Sequence, residues 1–385
     1  MKVLKLITRN AGRHKLRTYL TVLGLALAVM AFGLIRTFID AWYAGARAAA
    51  PDRLVTRHAV SFTLPLPLAY KEQILQIEGV KDITYGTWFG GIYVDPRNFF
   101  PQFGVEPESF FRIYPEYLVP PDQMQDFVRD RRGAIAGQGL VDRFGWKVGD
   151  QITLIGTIYP GDWQFVIDGI YHGENPDVDE TAFVFNYAYV EERMKQESPG
   201  RVGQIGWYVL RIDDPNNSSA IGAKVDARYD NSWAETKTET EKEFALSFIA
   251  MGDAIIIGLR VVSYLIIGVI FLVLANTMAM AARERISENA FMRTLGFRGY
   301  HLTGLILGES IFVAVLGGIV GMGLLSLVAK GVEIALSSYF PGFAVLPTTY
   351  ILVVIIALTI ATAASIFPVF RALRVKIVDG LRVVD

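Results

Sequence analysis

The chain has no cysteine in 385 residues. Disulfide staples and thiolate metal sites are therefore excluded. It has only four histidines, His14, His58, His172 and His301, too scattered to suggest a ligand set. No G-x-x-x-x-G-K-[ST] loop is present to cradle phosphates, and no H-E-x-x-H helix to hold zinc. There is no G-x-S-x-G nucleophile elbow either. The densest polar cluster is His172 with Glu174, Asp177, Asp179 and Glu180. It lacks the regular ligand spacing of a calcium loop and reads as a solvated acidic loop. No catalytic residue, no metal site and no bound cofactor is expected of this chain.

Charge is missing in blocks. Hydrophobic residues make up 52% of the chain and concentrate near residues 19–39, 255–282, 302–330 and 345–370. A hydrocarbon core about 30 Å thick needs about 20 largely apolar residues to cross it. All four blocks are long enough. The first carries Arg36 near its far end and the third carries Glu309, whereas residues 262–282 and 345–370 carry no charge. Lys/Arg-rich short loops stay on the cytoplasmic side. Residues 1–18 hold Lys2, Lys5, Arg9, Arg13, Lys15 and Arg17. The loop at 283–301 holds Arg283, Arg285, Arg293 and Arg298, and the tail at 371–385 holds Arg371, Arg374, Lys376 and Arg382. Residues 331–344 hold no Lys or Arg. These charges place both termini and the 283–301 loop in the cytoplasm, with 40–253 and 331–344 outside. A cleaved signal peptide is the rival reading of the N-terminus, but its apolar core would have about 7–15 residues, shorter than the stretch here.

Residues 40–253 contain 20 Lys and Arg against 32 Asp and Glu, a net of −12 hidden by the whole-chain value of −1. An acidic domain of this kind argues against nucleic acid as a partner. Its pattern is mixed α/β. A helix is expected at 66–79 and a strand with a Gly-Gly interruption at 82–95. Further strands are expected at 151–156, 163–170, 182–186 and 207–212, with a turn at 147–150. Asp213-Asp214-Pro215-Asn216-Asn217-Ser218 should cap a helix running to about Tyr229. Two lobes are expected, one combining 54–115 with 205–234 and the other inserted at 116–204. Residues 235–253 read as a helix running straight into the second span as a stalk. The predicted fold class is thus four transmembrane helices with a large, two-lobed α/β extracytoplasmic domain between spans one and two.

Glu309 is an ionisable residue inside a span, which is costly and points to function or to a cross-helix hydrogen bond. Asn276 and Thr277 are the partners expected at its depth. Gly304-x-x-x-Gly308 and Gly317-x-x-x-Gly321 set small residues four apart, a spacing that lets helix backbones approach. After span two come Arg283, Glu284, Arg285, Glu288, Met292, Arg293, Leu295 and Gly296. Arg285 and Glu288 can pair on one helix face, and Gly296 and Gly299 should end the helix. A short charged helix here can dock in another protein's groove; it can equally be a polar turn between spans.

This segment resembles the second cytoplasmic segment of the MacB/FtsX-like (type VII) superfamily of ABC transporter permeases, R-E-R-x-x-E-I-G-x-L-R-A-L-G. It matches at Arg283, Glu284, Arg285, Glu288, Arg293, Leu295 and Gly296, and departs at Asn289, Ala290 and Met292. Arg9-Asn10 and residues 16–24 are similar to the family's lead-in to span one. Glu309, Gly317, Gly318 and Gly321 are similar to its span three. Pro368, Arg371, Ala372, Leu381 and Arg382 are similar to its C-terminal motif, with Ile377 and Gly380 where proline and alanine are usual. Gly137 to Leu140, with Gly149-Asp150, gives a weaker match in the outer domain.

The resemblance implies a permease subunit in a bacterial cytoplasmic membrane, paired with a second permease chain, identical or not. ATP and Mg would be bound by a separate ATPase, since the chain begins almost at its first span. The 283–296 segment would be the ATPase-coupling helix, and Asn276, Gly304, Gly308, Glu309, Gly317 and Gly321 would pack the spans. Closure of the ATPase would move the outer domain, a mode called mechanotransmission. Lipoprotein or lipid extraction and drug or peptide export are both compatible, with a periplasmic adaptor or lipoprotein as a further partner. The alternatives are an FtsX-like regulator of a cell-wall hydrolase and an ATPase-independent membrane scaffold.

Overall fold

The computed structural model describes residues 15–175, 177–250, 252–336 and 343–374. Lys2, Lys5, Arg9, Arg13, Lys376 and Arg382, on which part of the charge argument rests, lie outside the described residues, as do Asn10, His14, Ile377, Gly380 and Leu381. The chain forms two compact units, one gathering the long apolar helices and the other residues 41–252.

Four helices are long and apolar enough to span a membrane: α1 (Lys15–Trp42), α10 (Asp253–Glu284), α12 (Gly299–Leu336) and α13 (Pro347–Arg374). At 1.5 Å per residue each exceeds the hydrocarbon thickness, so the apolar runs continue as helix into their polar flanks. Leu25, Leu274, Met278, Val313, Ile360 and Ala361 form the shared interior. Small residues and hydroxyls add close contacts and hydrogen bonds to this apolar packing, since lipid offers no hydrophobic drive to associate. Ser310 Oγ donates to the Ala361 carbonyl at 2.9 Å. The Ser326 and Tyr350 hydroxyls meet at 2.7 Å.

The inserted domain is built on one continuous sheet. Its strands are β1 (Arg53–His58), β2 (Leu66–Pro67), β3 (Val80–Trp88), β4 (Gly91–Ile92), β5 (Gln102–Val105), β6 (Tyr117–Leu118) and β7 (Gly133–Gly137). They continue with β8 (Gln151–Gly156), β9 (Gly161–Gly173), β10 (Phe183–Asn186), β11 (Gln204–Ile205), β12 (Trp207–Ile212) and β13 (Thr236–Thr240). The order is β13-β1-β12-β3-β5-β10-β7-β9-β8-β4, with β6 on β9 and β2 paired to β11 apart. The outer segments thus supply one half of the sheet and 116–204 most of the other, joined by the parallel β5·β10 pair. Covering helices are α2 (Ala44–Ala48), α3 (Tyr70–Leu75), α4 (Pro107–Ile113), α5 (Pro121–Arg129), α6 (Gln138–Phe144), α7 (Tyr187–Glu197), α8 (Ser218–Arg228) and α9 (Glu241–Ala250).

Strand β9 shows why this sequence makes a sheet. Trp163, Phe165 and Ile167 are buried, while Asp162 and Gln164 face solvent, the period of two that a pleat imposes. The rings of Trp163 and Phe165 join Phe89, Phe183 and Phe185 in an aromatic core, with edge-to-face contacts at 5.3–5.8 Å and a tilted one at 4.7 Å; Tyr171 packs in a separate cluster with Phe127 and Ile135.

Three local expectations change. The helix expected at 66–79 is a two-residue strand followed by α3, because Pro65 and Pro67 keep the chain extended before it. The strand at 82–95 breaks after Trp88, and Gly91–Ile92 crosses to pair with β8. The stalk helix at 235–253 is instead edge strand β13, then α9. Thr236, Thr238 and Thr240 suit a strand. A capping box starts α9: Thr240 N–H donates to Glu243 Oε2 at 2.9 Å, and Glu243 N–H to Thr240 Oγ1 at 3.1 Å. The helix ends at Ala250, and α10 begins anew at Asp253.

Candidate coupling site

The segment after the second span folds as helix α11 (Ile286–Thr294). Gly296 closes it with φ +89°, a conformation that strains any residue with a Cβ. Gly296 N–H donates to Arg293 O and Phe297 N–H to Met292 O, both at 3.1 Å. These are the paired bonds of a Schellman cap. Gly299 does not end this helix; it opens α12.

Ionic and hydrogen-bonded ties fix α11, and the end of α10 just before it, to the other spans. Arg17 of α1 meets Glu284, the last residue of α10, at 2.7 Å. Arg293 donates to the Leu373 carbonyl of α13 at 3.3 Å. Arg285 clasps Glu309 of α12 with two bonds, Nη1 to Oε2 at 2.5 Å and Nη2 to Oε1 at 3.1 Å. Glu309 is 8% exposed. A bidentate guanidinium satisfies both oxygens of a carboxylate that would otherwise be stranded at membrane depth. This corrects the expectation of Asn276 and Thr277 as Glu309's partners, and it gives Arg285 a role other than pairing with Glu288. Sequence spacing missed the pair because the two residues lie 24 apart, on different helices.

The remaining predicted residues separate by direction. Arg283 and Glu288 are exposed and Met292 is half-buried, while Leu295 is 63% exposed. Phe291, Phe297 and Tyr300 are exposed beside them at 57%, 43% and 64%. These aromatics were not singled out from the sequence, although large apolar side chains in a charged loop are the signal that finds them. The result is a short apolar knob, rimmed by charge, on a helix end held from within.

Among the glycines of span three, Gly317 and Gly321 lie against α1. A Cβ on them would fall 2.7 Å from Leu25 Cβ and Val29 Cγ1 respectively. Among the described residues, a Cβ on Gly304 would meet nothing within 4 Å. Gly308 is half-buried. Asn276 is exposed rather than packed inside the chain, and Thr277 shares a 3.3 Å hydroxyl contact with Thr21 of α1.

Two family models match this chain. The MacB-like periplasmic core domain covers residues 18–228, more than half of it, and the FtsX-like permease C-terminal model covers 260–377. The chain belongs to the MacB/FtsX-like family of ABC transporter permeases. An uncharacterised ABC transporter permease of Methanocaldococcus jannaschii is 22% identical over 363 residues, covering 86% of each chain. The lipoprotein-releasing system transmembrane protein LolC of Neisseria meningitidis serogroup B is 23% identical over 219 residues, 53% of this chain and 49% of LolC. Among solved structures, the periplasmic region of MacB from Actinobacillus actinomycetemcomitans aligns at 10% identity with a TM-score of 0.37, over 52% of this chain and 94% of that one. The extracellular domain of the transporter YknZ from Gram-positive bacteria aligns at 10% and 0.36, over 49% and 100%. The permease is a multi-pass membrane protein with its mixed α/β domain between the first and second spans.

In that domain the acidic cluster near His172 is occupied with its own backbone. Asp179 accepts from the N–H and hydroxyl of Thr181 at 2.7 Å. Glu180 accepts from Gly173 N–H at 2.8 Å, and Asp177 meets Arg47 at 3.4 Å. These bonds shape a turn.

Proposed function

We propose that the permease is a non-catalytic subunit working by mechanotransmission. A separate ATPase, which binds ATP and Mg, seats the knob at Phe291 and Leu295, and its closure moves α11. The observation that carries this reading is the Arg285–Glu309 clasp. A helix end tied by a buried ion pair to span three cannot tilt without taking that span along. The Arg293–Leu373 tie extends the same constraint from α11 to span four, and Arg17–Glu284 joins spans one and two where α10 meets α11. Movement then reaches the inserted domain, which exports a lipoprotein or lipid, or a drug or peptide.

The orientation follows the basic loops: α11 and the termini are cytoplasmic and the inserted domain lies outside, in a bacterial inner membrane. A second permease chain completes the unit. Span two supports this, because it is the least covered of the four helices and presents Asn276 outward. A side-chain amide facing lipid is unfavourable, and a neighbouring helix would satisfy it.

The test is Glu288→Lys, a reversal at an exposed position in the first turn of α11. Purified with its ATPase and reconstituted in liposomes, the variant should keep its fold but lose stimulation of ATP hydrolysis by the permease. Unchanged stimulation together with unchanged ATPase binding would sink the coupling assignment.

A further inference from the structure

The inserted domain contains a cavity of about 800 Å³, within the range of about 300–1,000 Å³ that holds small molecules. Its floor is one face of the sheet. The register pairs Trp88 with Phe103, Phe103 with Val184, and Gly86 with Trp207, so Trp88, Trp207, Phe103 and Val184 share that face. The main aromatic core lies on the opposite face, around Phe89 and Phe185. Phe103 stands edge-on to Trp88 at 5.4 Å and to Trp207 at 5.8 Å. Gly86 makes room for this floor: a Cβ there would sit 2.8 Å from Trp207 Cζ2. Phe62, from the loop after β1, meets Phe248 of α9 edge-on at 5.0 Å, and Phe248 meets Phe244 at 5.0 Å. All three line the cavity.

The polar lining of the cavity combines groups that both donate and accept, Thr63, Thr87, Tyr159 and Gln204 among them, with groups that only donate. Trp88 and Trp207 both line the cavity, and an indole N–H is a donor only. Arg201 lines the same cavity, is exposed, and spends one N–H on the Ile158 carbonyl at 2.7 Å, leaving further donors on its guanidinium. The carboxylate of Glu241 also lines the cavity, but it is held by Arg53 at 2.7 Å and by Ala50 N–H at 3.0 Å. The site therefore offers fixed donors and flat π-faces, and its chief anion is already neutralised.

We propose that this cavity binds a small apolar molecule built on rings and carrying acceptor oxygens, of the carbonyl or carboxylate type. The rings lie on the Trp88–Phe103–Trp207 floor in the edge and offset contacts that aromatic groups prefer. The oxygens meet the indole N–H groups and Arg201. Rigid rings lose less conformational freedom in such a site than a flexible chain does. The inference stands on the cavity alone and does not require ATPase coupling.

The experiment titrates 6-bromo-2-naphthoate into the full chain in lipid nanodiscs and follows tryptophan fluorescence, which bromine quenches on contact. Empty nanodiscs set the partition baseline. The expected result is saturable quenching, smaller in amplitude in Trp88→Phe. Arg201→Glu should weaken it by about tenfold or more, the loss of a charge-assisted bond. Thr63→Phe, at an exposed position on the covering loop, should narrow the entrance and weaken it independently, so the result does not hang on one variant's folding. Non-saturating quenching, equal in the parent, Arg201→Glu and Thr63→Phe, overturns the proposal. Displacement of the probe by oleate at lower concentration than by 2-naphthoate overturns the ring class.

Discussion

Arg53 is 3% exposed and serves two carboxylates, Glu241 at 2.7 Å and Glu116 at 2.6 Å, with Tyr114 beneath its guanidinium. Burial alone would lower its pKa; the two acids outweigh that and hold it above its ordinary value. The partners lie 63 and 188 residues along the chain, so no sequence pattern reveals them. Arg53→Met leaves two acids without their cation, and breaking such a buried pair costs about 3 kcal/mol. Denaturant unfolding followed by tryptophan fluorescence should show that loss; a change under about 0.5 kcal/mol, the level of ordinary surface substitutions, would mean that the pair is not structural. Asp168 behaves in the opposite sense. It is the extra residue where β9 shifts register against β7, between the partners of Ala134 and Ile135. Its Oδ2 is buried without a hydrogen bond. Burial, then Asp130 and Asp126, push its pKa from 3.8 up to about 6. The folded state therefore favours the neutral acid. Its contribution is fully present below about pH 3.8 and is lost as pH rises through about 6. Asp168→Asn should stabilise the domain by about 1 kcal/mol at pH 7.5, allowing for solvent screening, and change little at pH 4. An equal effect at both pH values would contradict this.

At the scale of elements, the glycines of span three divide into two kinds that sequence cannot separate. Gly317 and Gly321 let α12 approach α1, while a Cβ on Gly304 would meet nothing within 4 Å among the described residues. Gly321→Leu should overpack the contact and cost about 1–3 kcal/mol, read as a lower thermal midpoint in detergent. Gly304→Leu should leave that midpoint unchanged in the isolated chain. Equal effects would remove the assignment of the α1–α12 contact. Strands were the most legible elements: β8 and β12 fall at 151–156 and 207–212 as expected, β8 with the alternation its sequence shows. Segment 235–253 was misread because its acidic run resembled a helix start. Thr236-Lys237-Thr238-Glu239-Thr240 alternates, however, and its edge position explains the charges: Arg57 on the neighbouring strand pairs with Glu239 at 3.0 Å. Helix α11 was legible as a helix. Its division into an inner, tethering set and an outer apolar knob was not, because the tethers of Arg285 and Arg293 reach different spans.

At the scale of the whole molecule, four apolar helices and one inserted domain follow directly from the uneven placement of charge, since lipid tolerates only satisfied backbone and neutral side chains. The proposed function depends on a partner acting on α11. The most direct test is affinity purification of the tagged chain from native membranes in mild detergent, with co-purifying proteins quantified, alongside Leu295→Asp. Leu295 is exposed and its change should not disturb the fold. The account predicts a near-equimolar ABC ATPase with the parent chain and at least a tenfold loss with the variant, as removal of an apolar hot spot implies. Repeated recovery without an ATPase, under conditions that keep other membrane complexes intact, would contradict it and favour a membrane-anchored scaffold.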